Sequence, residues 1–160
     1  MRTGYFQLAA RDRPALTRHL LALNPEDRRL RFFYVATDEQ IRTFVSTLAI
    51  EHSLGYFVDD VLVATAMMTP EGPRCVEFSV SVDEQQRRRG LAAQLLAYGL
   101  QRVNARQVDR LVIHHLAENA AMAAVHHHLP SRRERNGGEI DVAIDLRALR
   151  EAQPGAAALP

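Results

Sequence analysis

Val80-Ser81-Val82-Asp83-Glu84-Gln85-Gln86-Arg87-Arg88-Arg89-Gly90-Leu91-Ala92 is the most informative stretch of this chain. Entering it, Val76, Phe78, Val80 and Val82 alternate with Glu77, Ser79 and Ser81, the period-two pattern of a strand with one apolar and one polar row. Leaving it, Ala92, Leu95, Leu96, Gly99 and Val103 recur at helical spacing, which predicts a helix from Gly90 to about Ala105. A strand, a glycine-containing loop and a helix in that order make a ready anion site. N–H groups at a helix start lack partners, and Gly90 and Ala92 let a bulky group approach the backbone. The natural ligand is a phosphate or pyrophosphate. Solvated charge ahead of a helix is the other reading of Arg87, Arg88 and Arg89. If helices cover both faces of the strand, its polar row should line a cavity.

Outward from this stretch the element order can be read. Tyr5 to Ala9 suggests a first strand and Pro14 to Leu23 a helix. Asn24-Pro25-Glu26-Asp27 supplies an N-cap amide, a proline whose missing N–H costs nothing at the first helical position, and two carboxylates against the positive helix end. Thr37-Asp38-Glu39-Gln40 offers a second cap before Ile41, Phe44, Val45 and Leu48. Asp59-Asp60 divides two β-branched and aromatic runs into a hairpin. Leu111-Val112-Ile113 reads as a strand, Asn119 to Leu129 as a helix stopped by Pro130, and Ile140, Val142, Ile144 and Leu146 as a last strand after the Asn136-Gly137-Gly138 turn. The expected fold is α/β, an α+β three-layer domain with a mixed, mostly antiparallel central sheet and helices on both faces. Residues 1–150 form the single domain, and 151–160, rich in Ala with Pro154 and Pro160, read as a flexible C-terminal tail.

Composition bounds what the domain can do. Twenty basic residues against nineteen acidic ones leave a net charge of +1, and only 6% of the residues are aromatic, so a nucleic-acid partner is disfavoured. No apolar run approaches the roughly 20 residues needed to span a bilayer, and no secretory leader is apparent. A soluble, cytoplasmic protein without a membrane partner is the expectation. Every basic residue of the Lys+Arg total is an arginine, which excludes a Walker-type phosphate loop and Schiff-base chemistry. Cys75 stands alone and reads as a small buried residue.

Arg87-x-x-Gly90-x-Ala92 after a strand ending Val80-Ser81-Val82 resembles the Arg/Gln-x-x-Gly-x-Gly/Ala signature of the GNAT superfamily of acyl-CoA-dependent N-acetyltransferases. Asn119-x-x-Met122-x-x-Val125 is similar to that family's Asn-containing motif, and Glu77 falls where many members carry an acidic residue. The resemblance spans roughly Leu23 to Leu146, and Leu23 to Phe33 is also similar to the entry of bacterial protein-lysine acetyltransferase domains. It implies a GNAT-like fold and acetyl-CoA as co-substrate. The amides of Arg87, Arg88, Arg89, Gly90, Leu91 and Ala92 would hold the pyrophosphate, the main chain near Val80 and Val82 would pair with the pantetheine arm, and Asn119 would touch the cofactor or cap its helix.

Direct transfer to an amine needs a base, for which Glu77 is the candidate, acting through water. A structural carboxylate paired with an arginine is its alternative. The Tyr that many members use as general acid is missing from Val125-His126-His127-His128-Leu129-Pro130-Ser131. His126 occupies that position and titrates near neutrality when unperturbed. The seven histidines show no metal-binding spacing, so no metal is expected. Arg28, Arg29 and Arg31 read as a solvated helix face. The acceptor is left open between a protein lysine and a small-molecule amine, a non-catalytic acyl-CoA-binding module or sensor is the alternative function, and a homodimer through edge strands fits such folds.

Overall fold

The computed structural model describes residues 1–104 and 107–152, the side chain of residue 104 excepted. Strands β1 (Gly4–Gln7), β2 (Ser53–Val58), β3 (Val61–Pro70), β4 (Cys75–Val82), β5 (Arg110–Leu116), β6 (Arg132–Asn136) and β7 (Glu139–Asp145) form one sheet in the order β1-β2-β3-β4-β5-β7-β6. All neighbours are antiparallel except β4 and β5. Six α-helices accompany the described strands: α1 (Arg13–Leu21), α2 (Pro25–Phe32), α3 (Asp38–Thr47), α4 (Leu91–Asn104), α5 (Ala120–His126) and α6 (Leu146–Ala152).

Two apolar clusters flank the sheet. Leu16 and Leu20 of α1 and Ile41 and Val45 of α3 pack with Phe57, Leu62 and Met67. On the other side, Leu91, Leu95 and Leu96 of α4, Met122 and Val125 of α5 and Leu146 of α6 pack with Val76, Phe78 and Ile113. This is the three-layer, mixed-sheet arrangement that the residue pattern predicts. Gly99 lets α4 settle close to the sheet, since a Cβ there would stand 3.2 Å from the Met68 thioether.

Local signals set several boundaries. Asn24 Oδ1 accepts from Asp27 N at 2.8 Å with Pro25 at the first helical position. Thr37 and Gln40 close a reciprocal capping box on α3. Asp59 and Asp60 turn the β2–β3 hairpin with φ of 48° and 66°, the left-handed geometry that two-residue hairpin loops demand.

The differences lie in the last third. β6, the second of the one or two final strands that the residue pattern leaves open, is Arg-Arg-Glu-Arg-Asn and exposed throughout, so no apolar alternation marks its residues. Leu146 opens α6 instead of ending β7, its N–H donating to Asp109 O at 2.8 Å. Glu151 and Ala152, assigned to the tail, are the last residues of α6, and 153–160 lie outside the described residues, as does the expected helix end at residue 105. Arg28 and Arg31 are also not a solvated face. Arg28 binds the carbonyls of Leu21, Leu23 and Ala36, and Arg31 is half-buried with its Nε closed off from solvent, because α2 turns these two residues inward while Arg29 stays at the surface with Glu26 and Glu118.

Candidate active site

The parallel pair β4–β5 sets the site. The two strands are in register only from Cys75, Val76 and Glu77 to Arg110, Leu111 and Val112, and then part, although β4 runs on to Val82 and β5 to Leu116. A cleft of about 570 Å³ opens there, walled by β4, β5, α2, α5 and the start of α4. Glu77, Ser79 and Ser81 line it, as the alternating pattern of β4 requires.

The main chain of β4 faces this gap at alternate residues. Asp83 N donates to Val63 O at 2.9 Å, so the hydrogen-bonded pairs with β3 fall at Asp83, Ser81 and Ser79. Val80 and Val82 therefore turn their N–H and C=O groups away from β3. Arg87 Nε donates to Val82 O at 3.2 Å, and Arg87 Nη2 reaches Asp27 Oδ2 at 2.7 Å, tying the loop to α2. The free groups of the gap are thus the N–H and C=O of Val80 and the N–H of Val82.

The loop that follows carries two left-handed residues, Arg88 at φ 62° and Gly90 at φ 74°. Such alternation gathers successive N–H groups into an anion-binding concavity. The first intrahelical bond of α4 runs from Gln94 N to Gly90 O at 2.9 Å, and the amides of Arg88 to Ala92 have no acceptor among the described residues. Arg87, Arg88, Gly90, Leu91 and Ala92 border the cleft, whereas Arg89 is exposed and does not. Across the gap Asn119 Oδ1 caps α5 by accepting from Met122 N at 3.0 Å, and Asn119 also lines the cleft. Both readings of this residue are compatible with its position.

The titratable walls differ from each other. Glu77 is half-buried with no cation in ion-pair distance among the described residues; the charges that it faces are Arg31 and His114. Arg31 lines the cleft beneath Phe32 and Phe44; among the described residues its Nη2 donates only to Met67 Sδ at 3.1 Å and its buried Nε to nothing. Burial pulls this guanidinium down to about 10, the negative charge of Glu77 opposing the shift, so Arg31 remains a cation at neutral pH. His114 has Nδ1 2.7 Å from Asp141 and Nε2 3.0 Å from Glu71. Burial works against its protonation, but the two carboxylates outweigh it and raise the pKa.

His126 stands behind the wall. It is 2% exposed, and its Nε2 lies 3.0 Å from Nε2 of His115, which does line the cleft. His115 Nδ1 lies 2.8 Å from Leu116 O and so carries the donor hydrogen; His115 Nε2 then accepts from His126. Burial, together with the nearby His115 and Arg133, lowers His126 to about 4. A buried, neutral ring that shares its Nε2 hydrogen with another histidine is poorly placed to protonate a departing thiolate. The expectation of an acid at His126 is revised on that geometry.

A model of the acetyltransferase (GNAT) family matches residues 14–129, most of the chain. The chain belongs to this family. Among solved structures it is similar to the GNAT domain of S. lividans PAT, at 17% identity over 88% of this chain and 89% of that one, with a TM-score of 0.75. It is also similar to the ribosomal-protein-S18-alanine N-acetyltransferase of Escherichia coli, at 19% identity over 89% and 92%, TM-score 0.66. A third is the PaiA N-acetyltransferase of Thermoplasma acidophilum in complex with coenzyme A, at 12% identity over 91% and 99%, TM-score 0.67. At these identities the likeness is one of fold. No curated protein matches the chain in sequence. No described helix of this GNAT acetyltransferase is long and apolar enough to cross a membrane, and no described cluster of His, Cys, Asp and Glu could hold a metal ion.

Residue patterns missed Arg31, His115 and one further group, His19, which the fold brings to Ser81 from 62 residues away. For these no local signal existed.

Proposed function

We propose that this chain moves an acetyl group from acetyl-CoA directly to a primary amine. The observation that carries the proposal is the parting of β4 and β5 next to a loop of unpaired amides: an extended arm fits between the strands while its phosphates meet the loop. The N–H and C=O of Val80 and the N–H of Val82 hold the pantetheine arm, and the N–H groups of Arg88 to Ala92 hold the pyrophosphate. Arg87 acts by fastening the loop, and Arg89 contributes charge at the rim. Asn119 holds the cofactor side of the cleft from the start of α5.

The acceptor enters from the α1–α2 side, where the polar row of β4 points. An ammonium must lose one proton before it attacks and a second as the amide forms. Glu77, unpaired on the cleft wall, takes the first through water. The thiolate takes its proton from solvent, since His126 is walled off. The acceptor is a protein lysine or a small-molecule amine.

Thiol release from acetyl-CoA tests this reading when it is followed with a set of small amines and lysine peptides. Amine-dependent release with stoichiometric amide supports transfer. Tight acetyl-CoA binding with no release for any amine supports the non-catalytic acyl-CoA sensor instead.

A further inference from the structure

Transfer as described leaves a buried histidine behind the cleft wall unused. His19 of α1 is 3% exposed, with Nε2 2.7 Å from Ser81 Oγ; Asp83 Oδ1 stands 2.8 Å from Nδ1 as a neighbouring charge, out of line for a hydrogen bond. Ser81 and Asp83 are two residues apart and therefore on one face of the strand end, so a single ring from α1 spans both. The other buried residues of α1, Leu16 and Leu20, are apolar. An apolar side chain at position 19 would hold the helix to the sheet without the cost of burying an imidazole.

The geometry is that of a hydroxyl hydrogen-bonded to an imidazole, with a carboxylate charge beside the far ring nitrogen. With the ring hydrogen on Nδ1, beside Asp83, Nε2 is left bare to accept the Ser81 hydroxyl hydrogen. The lone pairs of Ser81 Oγ are then available to the cleft that Ser81 lines.

We propose that Ser81, His19 and Asp83 form a proton relay that takes the second proton of the acceptor amine during acetyl transfer. The relay rests on the transfer reading above. As the amine nitrogen bonds to the thioester carbon, its N–H proton passes to Ser81 Oγ while the Ser81 hydrogen passes to His19 Nε2. The Asp83 carboxylate stabilises the imidazolium so formed. The C–S bond breaks with its electron pair on sulfur, and the thiolate is protonated from solvent. After the amide leaves, His19 returns its Nε2 proton through Ser81 to water. The sum exchanges one N–H for one S–H and needs no other reactant. Ser81 is the group that touches the amine; His19 and Asp83 are positioning residues.

The test uses the full chain, acetyl-CoA, and spermidine and Nα-acetyl-lysine amide as acceptors. His19→Gln keeps an acceptor for the Ser81 hydroxyl but cannot take its proton. Ser81→Ala removes the hydroxyl, and Ser81→Thr keeps it. Ser81→Ala and His19→Gln should lower kcat about 100-fold with acetyl-CoA affinity changed by no more than about twofold, while Ser81→Thr stays within about fivefold of wild type. A merely structural His19 predicts that Gln, by restoring the hydrogen bond, restores the rate; wild-type kcat in His19→Gln or in Ser81→Ala overturns the relay alone. Should His19→Gln not fold, the contrast between Ser81→Ala and Ser81→Thr decides it. A wild-type chain that binds acetyl-CoA but transfers to neither amine overturns the transfer reading and the relay with it.

Discussion

Gly90 separates what the cofactor loop does for the fold from what it does for the ligand. Its φ of 74° lies in the left-handed region, and a Cβ added there would meet only Gln94 Nε2 at 3.5 Å, an ordinary contact. Gly90→Ala therefore meets no clash and pays only the left-handed penalty of about 1–2 kcal/mol. In a domain of this size that lowers Tm by roughly 2–8 °C. Gly90→Glu carries the same penalty and adds a negative charge where the pyrophosphate is to sit. At about 5 Å, repulsion from two phosphate charges amounts to about 2 kcal/mol in bulk water and several times that at a partly buried site. Acetyl-CoA affinity should fall at least about 20-fold below that of Gly90→Ala, and 0.5 M salt should recover part of the loss. Calorimetric titration of both variants, with thermal unfolding alongside, measures the difference. Equal affinities in the two variants would refute the phosphate-loop assignment, whatever their Tm values.

Other positions carry shorter predictions. Glu77→Gln should slow transfer about 100-fold and leave acetyl-CoA affinity unchanged, as steady-state kinetics with a direct binding measurement will show; an unaltered kcat removes Glu77 as base. Arg31→Met exchanges a half-buried cation, whose acceptor is a thioether, for an apolar side chain, so urea unfolding should show stability held or raised. A loss above about 2 kcal/mol would mean that Arg31 holds the α2 layer in place. His126 and His114 should act oppositely on stability. Because burial lowers His126 to about 4, the unfolded chain binds more protons than the folded one below the ordinary value of about 6.5, and stability falls as pH drops from there toward 4. Because Asp141 and Glu71 raise His114 against its burial, its contribution is present below the unfolded value and is lost as pH rises through the raised one. Urea midpoints across pH 4–8 for His126→Leu and His114→Asn test both: the first should flatten the acid limb, the second the neutral one.

Much of this was legible because the physics was local. Asn24 and Thr37 cap helices within three residues of themselves, Asp59-Asp60 accepts the left-handed turn, and the alternation in β4 announces a polar row on the cleft wall. The loop from Arg87 to Ala92 could be read because an anion site made of backbone needs only a strand, a glycine and a helix start. Groups that depend on distant partners were silent. His19 gains its meaning from Ser81 and Asp83, and Arg31, read as solvated, is half-buried against the sheet beneath α2. β6 is undecided in the sequence because an exposed edge strand has no buried face to record. His126 lay at the position expected of an acid, but only its contact with His115 shows which way the ring turns.

The central claim is that the gap beside β4 and the Gly90 loop bind a CoA thioester. Thermal unfolding with excess acetyl-CoA, with unesterified CoA and ATP as controls, tests it most directly. Ligand at about 100 times its dissociation constant should stabilise the fold by about 2.7 kcal/mol, a rise of roughly 5–10 °C. Such a rise with both CoA species and not with ATP is the expected result. An unchanged Tm at millimolar acetyl-CoA would contradict the account and return the loop to a purely structural role.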